Sequence, residues 1–491
     1  MIDTAFAQLR LAASLLFGIP FSPDSLERLV AALRETRHEF GSIGAEGAEM
    51  VQGPPLDDAA RGEMQFRRFR AQATRAARET AYYRQVFDQL GLDPARMTAD
   101  DLIRVPLTRK EAVRANPDSF VRHSARPYLR CTTTGTTGTP TSIYFSSYEM
   151  RVYFAFTAIG SFFSGDITDE DIVQISTSAR GTLGNVCLAG ACAHLGAITY
   201  LAGVVDPIQA LALLADERHL PGKRARTSIL YTYPSYLGQL IETGLRLGYK
   251  PTDFGLRRIL AGGEVVTAGL RARSAALFGD VLFSGGYGMT EIWPFGGTEC
   301  PDGHLHFEPT QGLLEVLDPA TRQPAAPGAL GTIVATPLPP YRETTLVLRY
   351  QTEDAVRQLA TPPTCRLRHH PACGPILGKL RLAVRHADGG TFPRDILEAV
   401  EAEEAVPLPG RCGFWAVPGG VAVEVVVRDD TPAVRAAIGQ RLEAQGVPLR
   451  ELHLYTDLAQ LQHPLPLRGD LREQAFALSP LPDLLAPVED R

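Results

Sequence analysis

The chain has 491 residues, 45% hydrophobic and 21% charged, with 49 Lys+Arg against 55 Asp+Glu and a net charge of −6. That composition suits a folded chain of roughly three domains and excludes a mainly disordered or fibrous one. A slightly acidic balance gives no electrostatic case for nucleic-acid binding. No apolar run reaches the ~20 residues that a membrane span needs, so no membrane partner is expected.

In chain order, Leu11–Phe21 (LAASLLFGIPF) comes first. It imitates a signal-peptide core, but Asp3 and Arg10 precede it instead of a basic cluster, and no small-x-small cleavage site follows. It reads as a helix packed on the body. Ser22-Pro23 starts a second helix, a capping hydroxyl followed by proline at the first helical position. Leu26, Leu29, Val30 and Leu33 then form an apolar stripe. A Gly/Pro-containing break runs from Gly41 to Pro55. The next helical run, Arg61–Gln89, holds seven arginines interleaved with Glu63, Glu79 and Asp88. Phe66, Phe69, Tyr82, Tyr83 and Phe87 require a core, so the charges read as the solvated face of a packed helix. Residues 1–120 are thus expected to be the helical part of a large domain.

Residues 121–378 read as an α/β core. The strand-like runs Asp171–Ser176, Ala197–Leu201, Thr227–Thr232, Arg258–Leu260 and Asp280–Phe283 alternate with helical stretches. Such alternation predicts a parallel sheet. Residues 379–491 read as a small α+β C-terminal unit, with strands at Val421–Val427 and Glu451–Tyr455 around a helix at Pro432–Gln445. The seven cysteines are not spaced as a disulfide framework, which implies a reducing cytoplasm.

Three segments carry chemistry. Thr132–Thr141 (TTTGTTGTPT) is a hydroxyl-rich, flexible loop whose N–H groups and hydroxyls suit a polyphosphate, although it lacks the Gly-Lys-[Ser/Thr] of a Walker loop. Gly285–Glu291 (GGYGMTE) follows an apolar strand: its glycines admit a ligand to the backbone, Tyr287 offers a ring, Thr290 a hydroxyl and Glu291 a carboxylate for Mg²⁺. Ala261–Glu264 (AGGE) is a second glycine turn at a strand end. The third segment is Arg349–Asp354 (RYQTED), with an acid placed to grip ribose hydroxyls.

TTTGTTGTPT, GGE, YGMTE and YQTED, in this order and at these separations, resemble the adenylate-forming superfamily of acyl-CoA synthetases, peptide-synthetase adenylation domains and luciferases. Tyr82-Tyr83-Arg84, Val105–Lys110, Pro234-Ser235-Tyr236 and Thr298-Glu299-Cys300 resemble its phenylacetate–CoA ligase branch. The resemblance implies a large α/β body with a mobile C-terminal lid. It implies that Thr133, Thr134, Gly135, Thr136, Thr137 and Gly138 hold the ATP phosphates. Gly262, Gly263 and Glu264 would border adenine, Tyr287 and Gly288 would stack against it, and Asp354 would hold the ribose. Thr290 would meet the α-phosphate and Glu291 would bind Mg²⁺. Tyr236, Gly285, Gly286 and Met289 would border the acid.

The chain departs from the superfamily at several positions. The phosphate loop has Thr139 where lysine is usual. The Gly-Arg before the hinge is Gly378-Lys379, and the acidic hinge is Leu380-Arg381. The C-terminal loop carries Asp470 where a catalytic lysine is expected, leaving Arg468 or Arg472 to supply a cation. Thr290, Glu291, Lys379 and Arg468 are therefore the expected catalytic set. By spacing, Cys300, His306, Cys365 and Cys373 compose a candidate Cys₃His zinc site, with His304, His369 and His370 as replacements; buried thiols beside surface histidines are the alternative. Some phenylacetate–CoA-ligase-like proteins carry structural zinc in this region.

The implied reaction is ATP-dependent activation of a small, aromatic carboxylic acid as an acyl-adenylate with pyrophosphate release. Transfer to CoA or a carrier protein would follow, and a homodimer is compatible with this reading. The alternatives are transfer of an unusual acid to an amine or hydroxyl, and a degenerate, non-catalytic binder of nucleotide or acyl-adenylate.

Overall fold

The computed structural model describes residues 2–41, 56–133, 140–164, 167–178, 182–386 and 389–469. The chain opens with α1 (Ile2–Phe17), α2 (Pro23–Phe40), α3 (Asp58–Glu79), α4 (Ala81–Leu90) and the short α5 (Lys110–Ala115). Ser22 caps α2 through its side chain, with Pro23 in the first turn. The expected run Arg61–Gln89 is two helices. Thr80, in extended conformation, ends α3, and its hydroxyl caps α4 by accepting from the Tyr83 N–H.

The charged face of α3 is not wholly solvated, as the sequence suggested. Gln65, Arg68 and Gln72 are buried. Gln65 Nε2 donates to Gly312 O at 2.8 Å, Arg68 Nη1 to Thr310 O at 2.8 Å, and Gln72 Nε2 to Arg342 O at 3.1 Å. Long polar side chains satisfy main-chain carbonyls of the body that the helix would otherwise cut off from water.

A hairpin, β1 (Pro127–Thr132) and β2 (Ser142–Ser146), precedes α6 (Ser147–Ser164). The alternating region follows: β3 (Ile172–Ser176), α7 (Leu183–Leu195), β4 (Ile198–Leu201), α8 (Pro207–Ala215), β5 (Ile229–Thr232), α9 (Pro234–Arg246), β6 (Arg258–Gly262), α10 (Ala268–Phe278) and β7 (Leu282–Tyr287). Then come β8 (Gly297–Glu299), β9 (Leu305–Phe307), β10 (Gly312–Leu317), β11 (Leu330–Pro337), β12 (Tyr350–Arg357), β13 (Ala372–Cys373) and β14 (Gly378–Lys379).

The main sheet has the order β13-β9-β8-β7-β6-β5-β3-β4. β4, β3, β5, β6 and β7 pair in parallel, as the strand–helix alternation predicts, and β8, β9 and β13 extend the sheet antiparallel. Val173, Ile175 and Ile229 pack with α2, α6 and α7 in one core, while Leu230 and Ile259 pack with α8, α9 and α10 in a second. Asp171, fully buried before β3, fixes the strand starts: it accepts from Ser228 Oγ at 2.8 Å and from Arg257 Nε at 2.9 Å. Burial pushes its carboxyl up, but Arg257, Ser228 and the Thr168 N–H outweigh that and hold it at about 2.

A separate antiparallel sheet, β10-β11-β12-β14, ends on the strand that leads into the C-terminal unit. That unit holds β15 (Val384–His386), β16 (Gly389–Thr391), α11 (Pro393–Glu401), β17 (Cys412–Val417), β18 (Gly420–Val426), α12 (Pro432–Ala444) and β19 (Leu449–Tyr455). Its own core includes Ile396, Val400, Val423, Val425, Ile438 and Leu442. It docks on α9 and α10. Arg273 Nη1 on α10 donates to Val406 O at 2.8 Å, the Leu408 N–H donates to Glu242 on α9 at 3.0 Å, and Thr267 Oγ1 donates to Glu401 at 2.5 Å.

Candidate active site

The site forms beyond the carboxyl ends of β5, β6 and β7, the edge where open parallel sheets receive ligands. β12 and β14 bring a second set of groups to it. Asp354 and Lys379 are register partners, so their side chains share a face. Asp354, 6% exposed, accepts at Oδ2 from Lys379 Nζ (3.0 Å) and from the Tyr287 hydroxyl (2.8 Å). Lys379 Nζ also donates to Thr352 O at 2.8 Å. Burial pushes the Tyr287 phenol well above its usual range and the Asp354 charge adds to this, so Tyr287 stays a donor.

Glu291 lies deeper, 1% exposed. Its Oε1 meets Lys110 Nζ at 3.0 Å and the Tyr350 hydroxyl at 3.1 Å. Lys110 supplies the countercharge that a buried carboxylate requires. Burial, then the Glu291 charge, raises the Tyr350 phenol, which also remains a donor.

A third group comes from the C-terminal arm. Glu264, after β6, accepts at Oε2 from Ser235 N (2.9 Å) and Ser235 Oγ (2.6 Å) in the first turn of α9, and at Oε1 from the Arg468 N–H. Gly469 N donates to Ser235 Oγ at 2.9 Å, and Gln239 Nε2 donates to Gly469 O at 2.9 Å. Gly263 has φ +86°, and a methyl there would lie 3.2 Å from the Tyr233 ring and 3.4 Å from Arg468 Nη1. The arm thus brings the Arg468 guanidinium to the β5 and β6 strand ends. Burial pushes the Tyr231 phenol up to about 12, and the Arg468 charge opposes it.

At the hairpin, Thr133 N donates to Thr141 O at 3.0 Å and Thr141 N to Thr133 Oγ1 at 3.2 Å, closing the base of the threonine loop. Thr141 Oγ1 is buried without a partner among the described residues. Thr134, Gly135, Thr136, Thr137, Gly138 and Thr139 lie outside the described residues, as do Asp470 and Arg472.

A family model for AMP-binding enzymes matches residues 70–336, more than half of the chain. The chain belongs to the AMP-binding enzyme family. Its curated relatives include phenylacetate-coenzyme A ligases of Thermus thermophilus and Aromatoleum evansii, each 27% identical. The first match spans 61% of this chain and 65% of that ligase, the second 64% and 70%. The chain therefore spans about two-thirds of the length of these relatives. Among solved structures, 2-hydroxyisobutyryl-CoA ligase in its postadenylation state with 2-HIB-AMP matches with a TM-score of 0.68 and 19% identity, over 86% of this chain and 92% of that one. The same ligase in its thioesterification state, with 2-HIB-AMP and CoA, gives 0.57, over 83% and 89%.

In this AMP-binding fold, Tyr287, Asp354 and Lys379 meet one another, Glu291 lies deeper, and Gly263, Glu264 and Arg468 meet at the β6 strand end beside Gly262. Gly288, Met289 and the half-buried Thr290 follow Tyr287 directly, and the Tyr287 hydroxyl lies 3.4 Å from Met289 Sδ. Gly286 is exposed beside Gly262, its register partner. Three expectations are corrected. Tyr236 does not border the acid: it is fully buried in the second core, its hydroxyl donating to Val205 O at 2.8 Å. The neighbouring Ser235 faces the site instead, because successive helical residues point about 100° apart. Gly285 is abutted by the Glu299 carboxylate, which pairs with Arg271 at 2.7 Å, so its Cα faces an ion pair and not an acid pocket.

The third correction is Cys373, which faces away from the group formed by Cys300, His304 and His306. It registers opposite Leu305 and packs in the first core, whereas His306 registers opposite Ala372. The donor atoms of Cys300, His304 and His306 lie within 4.8 Å of one another, and Cys365 Sγ is 3.2 Å from His306 Nε2. His304 belongs to this group and Cys373 does not. His370 pairs with Glu308 at 3.6 Å, and the His369 carbonyl accepts from Arg61 Nη1 at 3.1 Å.

Lys110, Ser235 and Gln239 are site residues that motif reading did not single out. Lys110 ends the Val105–Lys110 segment and Ser235 sits within Pro234–Tyr236, so both lay inside recognised motifs. Gln239 had no signal, since its partner is 230 residues away.

Proposed function

We propose that the protein activates a small carboxylic acid as its acyl-adenylate and passes the acyl group to CoA. The observation that carries this reading is the convergence of Asp354, Tyr287 and Lys379 with Glu291 and Lys110 at the strand ends, in a chain of the AMP-binding family. Asp354 is the group that would hold the ribose hydroxyls. The threonine loop, pinned at Thr133 and Thr141, would hold the phosphates, and the Thr141 hydroxyl, buried without a partner among the described residues, fits that use. Glu291 is the carboxylate that would hold the Mg²⁺ accompanying ATP.

The acid's carboxylate attacks the α-phosphorus, a P–O bond forms, and the bond to pyrophosphate breaks. Such displacement depends on positioning and charge neutralisation more than on covalent help. Arg468 supplies the cation that a C-terminal lysine would otherwise provide, beside Tyr233 and Gly263. The fold-level match is better to a ligase in its postadenylation state than in its thioesterification state, in keeping with a C-terminal unit docked for adenylation. The same reading takes residues 379 onward as the mobile lid. The named relatives act on phenylacetate, which favours an aromatic acid.

A structural zinc belongs to this reading, held by Cys300, His304, His306 and Cys365. The Nδ1 atoms of His304 and His306 are buried without partners among the described residues, and two thiols with two imidazoles are a tetrahedral zinc donor set. Elemental analysis of chelator-free protein should give about one zinc per chain, lost in His304→Ala and kept in Cys373→Ser; loss only in Cys373→Ser would reverse the assignment.

The function is tested by incubating the protein with ATP, Mg²⁺, CoA and a panel of aryl and short aliphatic acids. Acid-dependent formation of AMP, pyrophosphate and acyl-CoA is expected. AMP without acyl-CoA, with acyl transfer to an amine or hydroxyl, would favour the alternative acceptors. No nucleotide turnover with any acid, despite ATP binding, would favour a non-catalytic binder.

A further inference from the structure

Glu264 was expected to border adenine, yet all its described contacts are with α9 and the C-terminal arm. We propose that Glu264 is a positioning residue that latches the arm and thereby sets the Arg468 guanidinium for adenylation; this rests on the adenylation reading above.

The argument starts from donors and acceptors. The carboxylate accepts from three groups: Ser235 N, Ser235 Oγ and Arg468 N. Two of these lie in the first turn of α9, where free N–H groups and the helix dipole favour an anion. The third is the main chain of the residue that carries the proposed catalytic cation. Ser235 Oγ gives its proton to Glu264 and takes one from Gly469 N, so both arm amides are bound through the same carboxylate. Gln239 closes the other side by donating to Gly469 O.

The packing at this point is close. A Cβ on Gly469 would come within 2.5 Å of Tyr236 N and 2.6 Å of Ser235 Oγ. Only a residue without a side chain lets the arm lie on the helix turn. The guanidinium reaches the strand ends because the two peptide groups around it are fixed and not because it is buried: Arg468 itself is exposed. An arginine tethered in this way loses little freedom when a carboxylate arrives, which is the source of preorganised charge stabilisation.

The latch has a sharp chemical test, because glutamine at 264 keeps the shape but replaces one acceptor oxygen with a donor. Whichever way the amide turns, its NH₂ meets an N–H that used to donate. Glu264→Gln should lower acid-dependent ATP–pyrophosphate exchange at least tenfold. It should leave the ATP dissociation constant, and thioester formation from supplied acyl-adenylate and CoA, within about twofold. Hydrogen exchange of the peptide spanning Gln462–Gly469 should accelerate at the Arg468 and Gly469 amides. Gly469→Ala, which displaces the arm from the other side, should reproduce the pattern.

Unchanged amide protection in Glu264→Gln overturns the latch, whatever the activity. Lost protection with unchanged exchange overturns its positioning role. A parallel fall in ATP affinity in Glu264→Gln but not in Gly469→Ala would return Glu264 to the adenine site. Exchange absent from the wild-type protein with every acid would instead sink the adenylation reading, and the amide measurement would still decide the latch.

Discussion

Two elements dock on the same α/β body by different means. Helix α3 is held by side chains that lie under its surface: Arg68 and Gln72 are 3% and 0% exposed and donate to main-chain carbonyls of the body. The C-terminal unit combines one buried contact, the Thr267 hydroxyl donating to Glu401, with a half-exposed rim of charged groups. Arg273, Glu242 and Arg428 have side-chain exposures of 18%, 22% and 48%, and Glu242 receives both arginines and the Leu408 N–H. Removing a partner beneath α3 leaves a buried polar group unpaired, whereas the rim groups Arg273, Glu242 and Arg428 already meet water and lose less. Contact chemistry therefore distinguishes an attachment made mainly under the helix from one made in large part at a hydrated rim.

A pair of variants sharpens this contrast. Arg68→Ala removes the donor to Thr310 O and to Leu15 O and leaves a cavity beneath α3. It should cost about 3 kcal/mol, measured as loss of global stability in denaturant titration. Arg273→Ala removes a donor to Val406 O and an ion pair that water can replace. It should cost about 1 kcal/mol or less, leave the main unfolding transition in place, and speed proteolysis of the segment 402–411. Equal losses of global stability in the two variants would erase the distinction.

Much of the fold was legible in the sequence because it follows local rules. The runs read at 171–176, 227–232 and 258–260 became parallel strands at Ile172–Ser176, Ile229–Thr232 and Arg258–Gly262, and the Ser22-Pro23 cap started a helix. The strand-end motifs were legible for the same reason: glycines and an acid after a strand mark a place where a ligand meets backbone. What was misread depended on side-chain direction or on distant partners. Tyr236 and Ser235 are neighbours in one motif, but only helix phase tells which faces the site. Cys373 has plausible metal spacing, and only its register opposite Leu305 turns it into the core. Arg68 of α3 looked solvated because its acceptor, the Thr310 carbonyl, is 242 residues away. The contact of Glu264 with the C-terminal arm left no local signal, since its partner Arg468 lies 204 residues downstream.

The most direct test of the account concerns Arg468, the cation that the C-terminal arm brings to the strand ends beside Gly263. ATP–pyrophosphate exchange should be measured for the wild-type protein and for Arg468→Ala and Arg468→Lys with the best acid of the panel. Removing a charge that is stabilising only in the transition state lowers the rate without weakening ATP binding. The account predicts at least a tenfold fall in exchange for Arg468→Ala, partial recovery for Arg468→Lys, and an unchanged dissociation constant for ATP. Exchange at the wild-type rate in Arg468→Ala would contradict it and would remove the C-terminal arm from the adenylation step.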